Sequence, residues 1–167
     1  MNKTIKLLLF LGIISGLSGI AIGSLNDVLE PIIEENDYKT LLVNINEIFP
    51  DSDFEISDYE DSVVKSIYKV KDKGYVVETS AIGYNNNSAI DILIGFDNEG
   101  TIIAIKTLSQ QETNGYGSKC FEDSNIEKNY LNKTIDEDVD MVSGATLTSN
   151  AMKKMINSAR DALKELD

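Results

Sequence analysis

The residues of this chain best equipped for chemistry run from Asp140 to Ser149, Asp-Met-Val-Ser-Gly-Ala-Thr-Leu-Thr-Ser. Four hydroxyls fall within seven residues, at Ser143, Thr146, Thr148 and Ser149. Ser143-Gly144 is a turn signal, and Gly144 supplies a backbone conformation closed to bulkier residues. Beyond the turn, Met152, Met155, Ile156, Ala159 and Leu163 recur at helical spacing. Thr148 and Ser149 are both candidate N-caps of that helix. Small, hydroxyl-bearing residues therefore stand where a helix begins. Free N–H groups and the helix dipole at such a place suit a phosphate. The plainer alternative is that the cluster only caps the helix.

A second stretch, Gln111-Glu-Thr-Asn-Gly-Tyr-Gly-Ser118, reads as a flexible loop. It lacks the Lys of a phosphate-binding P-loop. Together the two stretches resemble the FMN-binding domain family. Asp140-x-x-Ser143-Gly144-Ala145-Thr146, followed by Thr148-Ser149, is similar to that family's flavinylation motif. Glu112-Thr113-x-Gly115-x-Gly117 is similar to its Glu-Thr-Pro-Gly-x-Gly loop, with Asn114 in place of the Pro. A His often found two residues before that Glu is replaced by Gln110. Gly83-Tyr84 and Gly95-Phe96-Asp97-x-x-Gly100 also fit, so the resemblance covers about Tyr75 to Ile156.

The family includes the G subunit of Rnf-type ferredoxin:NAD oxidoreductases and the C subunit of the sodium-pumping quinone reductase. The resemblance implies FMN bound covalently, through a phosphoester on Thr146, installed by a flavin transferase that uses FAD. Asp140 would be the acidic residue of the transferase signature, and Ser143, Gly144 and Ala145 the tight loop against the phosphate. Glu112, Thr113, Gly115 and Gly117 would line the flavin ring, and Tyr116 would stack on it or stand exposed. Lys153 and Lys154, one turn into the helix, are further candidates for the phosphate, or merely solvated. The implied role is an electron carrier among the other membrane subunits of an Rnf-type complex, which couples ferredoxin oxidation and NAD reduction to ion transport. Members of the quinone-reductase kind are usually longer, which leans the reading toward Rnf. A stand-alone flavinylated carrier and an unmodified membrane-anchored binding module are the rival readings.

Composition narrows the field. The chain has 167 residues, no His and a net charge of −13. Such a surface repels nucleic acid and does not suit lying flat on anionic lipid. Lack of His excludes a Ser-His-Asp triad and removes the commonest transition-metal ligand. A single Cys, Cys120, permits no internal disulfide and no multi-cysteine cluster. It reads as a small, semi-buried residue.

The scaffold for these residues is legible along the chain. Leu7 to Asn26 is uncharged, and about 20 such residues cross a bilayer as a helix. Lys3 and Lys6 precede it, and Asp27, Glu30, Glu34 and Glu35 follow it. This places the N-terminus in the cytoplasm and the rest outside. Gly12, Gly16, Gly19 and Gly23 share one helix face and invite a neighbouring helix. That favours a retained anchor, in contact with lipid through one helix, over a signal peptide cleaved near Ala21-Ile22-Gly23.

Asp27 to Phe49 is expected to be a helical stalk, with Pro31 in its first turn and Leu41, Leu42, Ile45, Ile48 and Phe49 on one face. Pro50 ends it. Asp51 to Asp61 reads as an acidic loop. Strands are predicted at Val64–Lys71, Tyr75–Ile82, Ala89–Phe96 and Thr101–Leu108, and a short helix at Ser124–Leu131. No strand–helix–strand alternation appears, so a Rossmann or flavodoxin arrangement is disfavoured. The expected class is α+β: an N-terminal transmembrane helix, then one FMN-binding domain whose mainly antiparallel sheet is flanked by helices. Residues 1–26 are the head and anchor, 27–62 the stalk and acidic loop, and 63–167 the FMN-binding domain.

Overall fold

The structure is a computed structural model. It describes residues 2–57, 59 and 61–166, without the side chains of 21–34. Expectations on Gly23, Pro31, Asp27, Glu30 and Glu34, and on residues 58 and 60 of the acidic stretch, lie outside what is described.

The first helix, α1, runs Lys3–Ile48. Its window Lys3–Ile20 has mean hydropathy 1.6 and is long and apolar enough to cross a membrane. Leu7, Phe10, Leu11, Leu17 and Ile20 are exposed there, and the faces of Gly12, Gly16 and Gly19 meet no other atoms of the described chain. The helix stops at Ile48 because Pro50 follows: the residue before a proline is pushed out of helical geometry. The chain forms two compact units, Met1–Leu41 and Leu42–Asp167.

In the second unit the four expected strands and one more form a single antiparallel meander of order β1-β2-β3-β4-β5. The strands are β1 Phe54–Ser57, β2 Val64–Val70, β3 Gly74–Ile82, β4 Ala89–Asp97 and β5 Ile102–Ser109. The described sheet has five strands, not four. The stretch read as an acidic loop contains β1, which pairs Phe54 with Val70 and Ser57 with Ile67. Its acidic composition hid it, because an edge strand covers only one neighbour and tolerates charge.

The sheet is covered on both faces. Ile67, Val77, Ile90, Ile92, Ile94, Phe96, Ile102 and Ile105 join one core with Met152, Met155, Ile156, Ala159 and Leu163. Those last five lie on a helix at the C-terminal end, Thr146–Leu166. Each such side chain contributes about 1.5–3 kcal/mol when fully buried. Tyr68, Val76 and Leu93 are buried too, and the register puts them on the opposite face with Gly95. There a Cβ on Gly95 would stand 2.7 Å from Ile48 Cγ2, so the end of α1 rests on β4 where a side chain is missing. Coverage on both sides is why β4 reads as a nearly unbroken apolar run.

After β5 come a 3-10 helix, Gly117–Phe121, and α2, Asp123–Asn129. The C-terminal helix Thr146–Leu166 is then α3. Helix α2 overlaps the expected Ser124–Leu131 segment, starting one residue earlier and ending two residues earlier. The 3-10 turn, too short to show a period, is an addition to the expected elements.

Candidate functional site

Strand register brings three segments to one end of the sheet. Ile82 pairs with Ala89 and Asp91 with Ser109, so the β3–β4 connection and the loop leaving β5 emerge side by side. The start of α3, which packs along β3, completes the group. A cleft of about 240 Å³ opens there, lined by Tyr84, Tyr116, Gly117, Gly144, Ala145, Thr146, Leu147 and Thr148. Both motifs contribute to it.

Glu112 holds the segments together. Its buried carboxylate accepts hydrogen bonds from the N–H of Tyr84 (3.2 Å) and of Asn85 (3.1 Å), and from Thr148 Oγ1 (2.7 Å). A carboxylate accepting several such bonds makes charge-assisted links to two other segments at once. Gly117 permits this close approach: a Cβ there would sit 1.7 Å from Glu112 Oε2 and 2.5 Å from Thr148 Oγ1. Gly83 is similarly tight, 2.5 Å from Glu112 Oε1.

The loop itself is ordered by its backbone. Tyr116 N–H donates to the Thr113 carbonyl at 3.1 Å, and Gly115 has φ of +77°. This is a turn that demands glycine at its third position. Asn114 occupies the second position, where the family pattern carries Pro and where a fixed φ near −65° fits. Gly115 N–H also donates to Ser118 Oγ at 3.0 Å. The Tyr116 ring stacks on Tyr84, with centroids 5.9 Å apart and planes at 10°. Both rings are exposed at the cleft.

The hydroxyls of the first motif divide sharply. Thr148 and Ser149 are buried. The first helical hydrogen bond of α3 runs from Ser149 N–H to the Ala145 carbonyl, so neither is the N-cap; both lie inside the first turn. Their hydroxyls have other work. Thr148 donates to Glu112, and Ser149 Oγ accepts from Val142 N–H at 3.0 Å, drawing the preceding loop back onto the helix. Cys120 is fully buried with Sγ 3.5 Å from Ser149 Oγ, and burial pushes its thiol pKa up. Ser143, Gly144 and Thr146 are exposed, while Ala145 is buried. Of the four hydroxyl residues, Thr146 alone is both exposed and part of the cleft wall. Gly144, at φ +78°, makes the turn that brings it there.

Helix geometry leaves the N–H groups of Thr146, Leu147 and Thr148 without intrahelical acceptors, at the positive end of the dipole. Asp140 is exposed, with Oδ2 3.6 Å from Lys133 Nζ. Lys153 is not free to serve this cleft, because its Nζ is 2.6 Å from Asp138 Oδ2. That pair holds the Asp138 carboxyl below the usual range. Lys154 is exposed. The cation nearest the loop is Lys119, whose Nζ would stand 3.5 Å from a Cβ on Gly144. Sequence reasoning missed Lys119 and Leu147, and it noted Tyr84 only as part of the family pattern, without a place on the cleft wall. Lys119 lies two residues beyond the second motif, and no periodicity connects it to the first.

An open cleft with two aromatic rings, an exposed hydroxyl, a helix start and a nearby cation fits a flavin phosphate better than it fits a metal. Residues 83–161, just under half of the chain, match the family model of the FMN-binding domain. Both motifs fall inside that match. The chain is similar to the G subunit of the ion-translocating oxidoreductase complex of Shewanella baltica (strain OS223), at 30% identity over 91 residues, 46% of this chain and 42% of that protein. It is similar to the protein of the same name from Vibrio atlanticus (strain LGP32), at 30% identity over 118 residues, 60% of this chain and 55% of that one. The chain spans about half the length of these curated relatives.

Proposed function

With an FMN-binding domain at residues 83–161 as premise, we propose that this protein is a membrane-anchored electron carrier that bears FMN as a phosphoester on Thr146. The relatives are named as the G subunit of an ion-translocating oxidoreductase complex. On our reading this chain plays the same part, passing electrons among the membrane subunits of an Rnf-type complex that links ferredoxin oxidation and NAD reduction to ion transport.

The observation that carries the reading is the exposure of Thr146 on the cleft wall while Thr148 and Ser149 are buried and bonded. Attachment would join Thr146 Oγ1 to the FMN phosphorus of FAD on a flavin transferase, the new Oγ1–P bond replacing the pyrophosphate bond, with AMP as the leaving group and loss of the hydroxyl proton. Bound FMN would supply the redox chemistry, taking up electrons singly or in pairs. The chain's residues hold it. The first turn of α3 offers N–H donors to the phosphate, Gly144 and Ala145 keep the loop close, and Tyr84 and Tyr116 present ring faces. Glu112 braces the cleft through Thr148 and the N–H groups of Tyr84 and Asn85, Gly117 lines it, and Thr113 and Gly115, which lie outside its lining, form the turn that presents Tyr116. Asp140, exposed beside the loop, would be the acidic residue that the transferase reads. Covalent attachment keeps the cofactor from dilution outside the cytoplasm, where α1 would anchor the domain.

The test is the intact mass of protein purified from a host that also expresses a flavin transferase. We expect an increase equal to FMN less one water, mapped to the peptide containing Thr146 and absent from Thr146→Val. An unmodified wild-type chain under those conditions would overturn the reading.

A further inference from the structure

We propose that Lys119 is the cation that neutralises the phosphoester on Thr146. The inference rests on the function proposed above and adds a residue that neither motif contains. Lys119 lies on the 3-10 helix, two residues after Gly117 of the cleft wall. Its side chain reaches back toward the other motif, ending 3.5 Å from the place a Gly144 Cβ would occupy. Among the described residues, no other atom outside the loop comes as near to that position.

Lys119 is one of eight described lysines with no carboxylate within 4.0 Å, and among these it is the one whose ammonium reaches the Gly144 turn. Lys39, Lys65, Lys106, Lys133, Lys153 and Lys164 each pair with a carboxylate. Among the described residues no carboxylate lies within 4.0 Å of Lys119 Nζ, although the chain holds 28 acidic residues against 15 basic ones. A half-buried ammonium without a counter-charge, against the turn that presents Thr146, is a place for an anion. A phosphodiester at Thr146 brings one negative charge, and an ammonium is a compact point charge suited to phosphate. Lys153 is bound to Asp138 and is not available for that role. Gly144 matters here as well: with no side chain it leaves the path between Lys119 and the loop open.

Two measurements test this on the full chain. In the first, loaded and unloaded wild type are treated with an amine-acetylating reagent and the lysines are compared by peptide mass. Lys119 is expected to be labelled several-fold more slowly in the loaded protein, with Lys154 unchanged. In the second, loaded and unloaded fractions of wild type, Lys119→Gln and Lys119→Arg are melted. Lys119→Gln should lower the melting temperature of the loaded form by about 2–4 °C relative to wild type. It should leave the unloaded form unchanged or raise it, and Lys119→Arg should restore most of the loss. A structural lysine would shift both forms alike. Equal acetylation of Lys119 in both states, or equal melting shifts, would overturn the inference while leaving flavin attachment intact. Absence of loading in wild type would instead remove the function on which it rests.

Discussion

Glu112 does more than a family motif would suggest. Its carboxylate is the shared acceptor of two backbone N–H groups and one hydroxyl, each from outside its own loop. Removing it leaves three donors without that partner, two of them on a main chain that cannot turn away. An unsatisfied buried donor costs about 1–3 kcal/mol. We therefore expect Glu112→Ala to lose about 2–4 kcal/mol in urea unfolding. Glu112→Gln keeps the shape and one acceptor, and should lose less. A double-mutant cycle with Thr148→Val should show strong coupling, because the two side chains share a 2.7 Å bond. Gly117→Ala should be as harmful as Glu112→Ala, since its methyl would collide with that same carboxylate. Additive effects of Glu112→Ala and Thr148→Val would show that the brace is not the unit described.

Among the elements, the approach to α3 is held by a separate network. Arg160, buried on α3, donates to the carbonyls of Glu137 (2.7 Å) and Thr134 (2.6 Å). Thr134 N–H donates to Glu137 Oε2, and Lys153 pairs with Asp138. These contacts hold the Glu137 and Asp138 carboxyls below their ordinary values, chiefly through the Thr134 backbone N–H and Lys153 respectively. A carboxyl whose folded pKa is depressed contributes stability that is present above its unfolded value, about 4, and is lost as pH falls through the folded value. Stability should therefore decline with acid below about pH 4, and Lys153→Met should flatten that decline by removing Asp138's share. Urea midpoints measured across this range for both proteins check the expectation; identical slopes would contradict it.

For the molecule as a whole, the chain divides into two compact units, Met1–Leu41, which carries the apolar start of α1, and Leu42–Asp167, which carries the sheet. The strongly negative charge of −13 keeps the chain from binding anionic surfaces by attraction. The segment long and apolar enough to cross a membrane, Lys3–Ile20, is the part of the chain suited to a bilayer. Full-length protein should stay with membranes after alkaline carbonate washing. A version lacking residues 1–26 should be soluble and still accept FMN on Thr146. If the protein expressed from the full sequence is instead recovered in the soluble fraction, cut after its apolar segment, that segment is a cleaved signal.

Residue order was enough for the elements whose signal is local. Strand-like runs marked β2, β3 and β5, a nearly unbroken apolar run marked β4, and a 3.6-residue period marked α3. A proline set the end of α1. Gly144 marked its turn, with φ of +78°, whereas Gly115, read within a flexible loop, proves to sit in an ordered turn at φ +77°. The two motifs were visible as short strings of residue types, and with them the resemblance to FMN-binding domains. What those strings do became visible only in the folded chain. Four hydroxyls looked equivalent in the sequence, and packing showed that Thr148 and Ser149 face inward to Glu112 and Val142 while Thr146 faces the cleft. Lys153 looked available until Asp138, fifteen residues away, claimed it. Lys119 carried no signal until the fold laid it against Gly144. The cause is the same in each case. Backbone preference is set by a residue and its immediate neighbours, whereas the partner of a polar side chain is set by which distant segments the sheet register brings to one end.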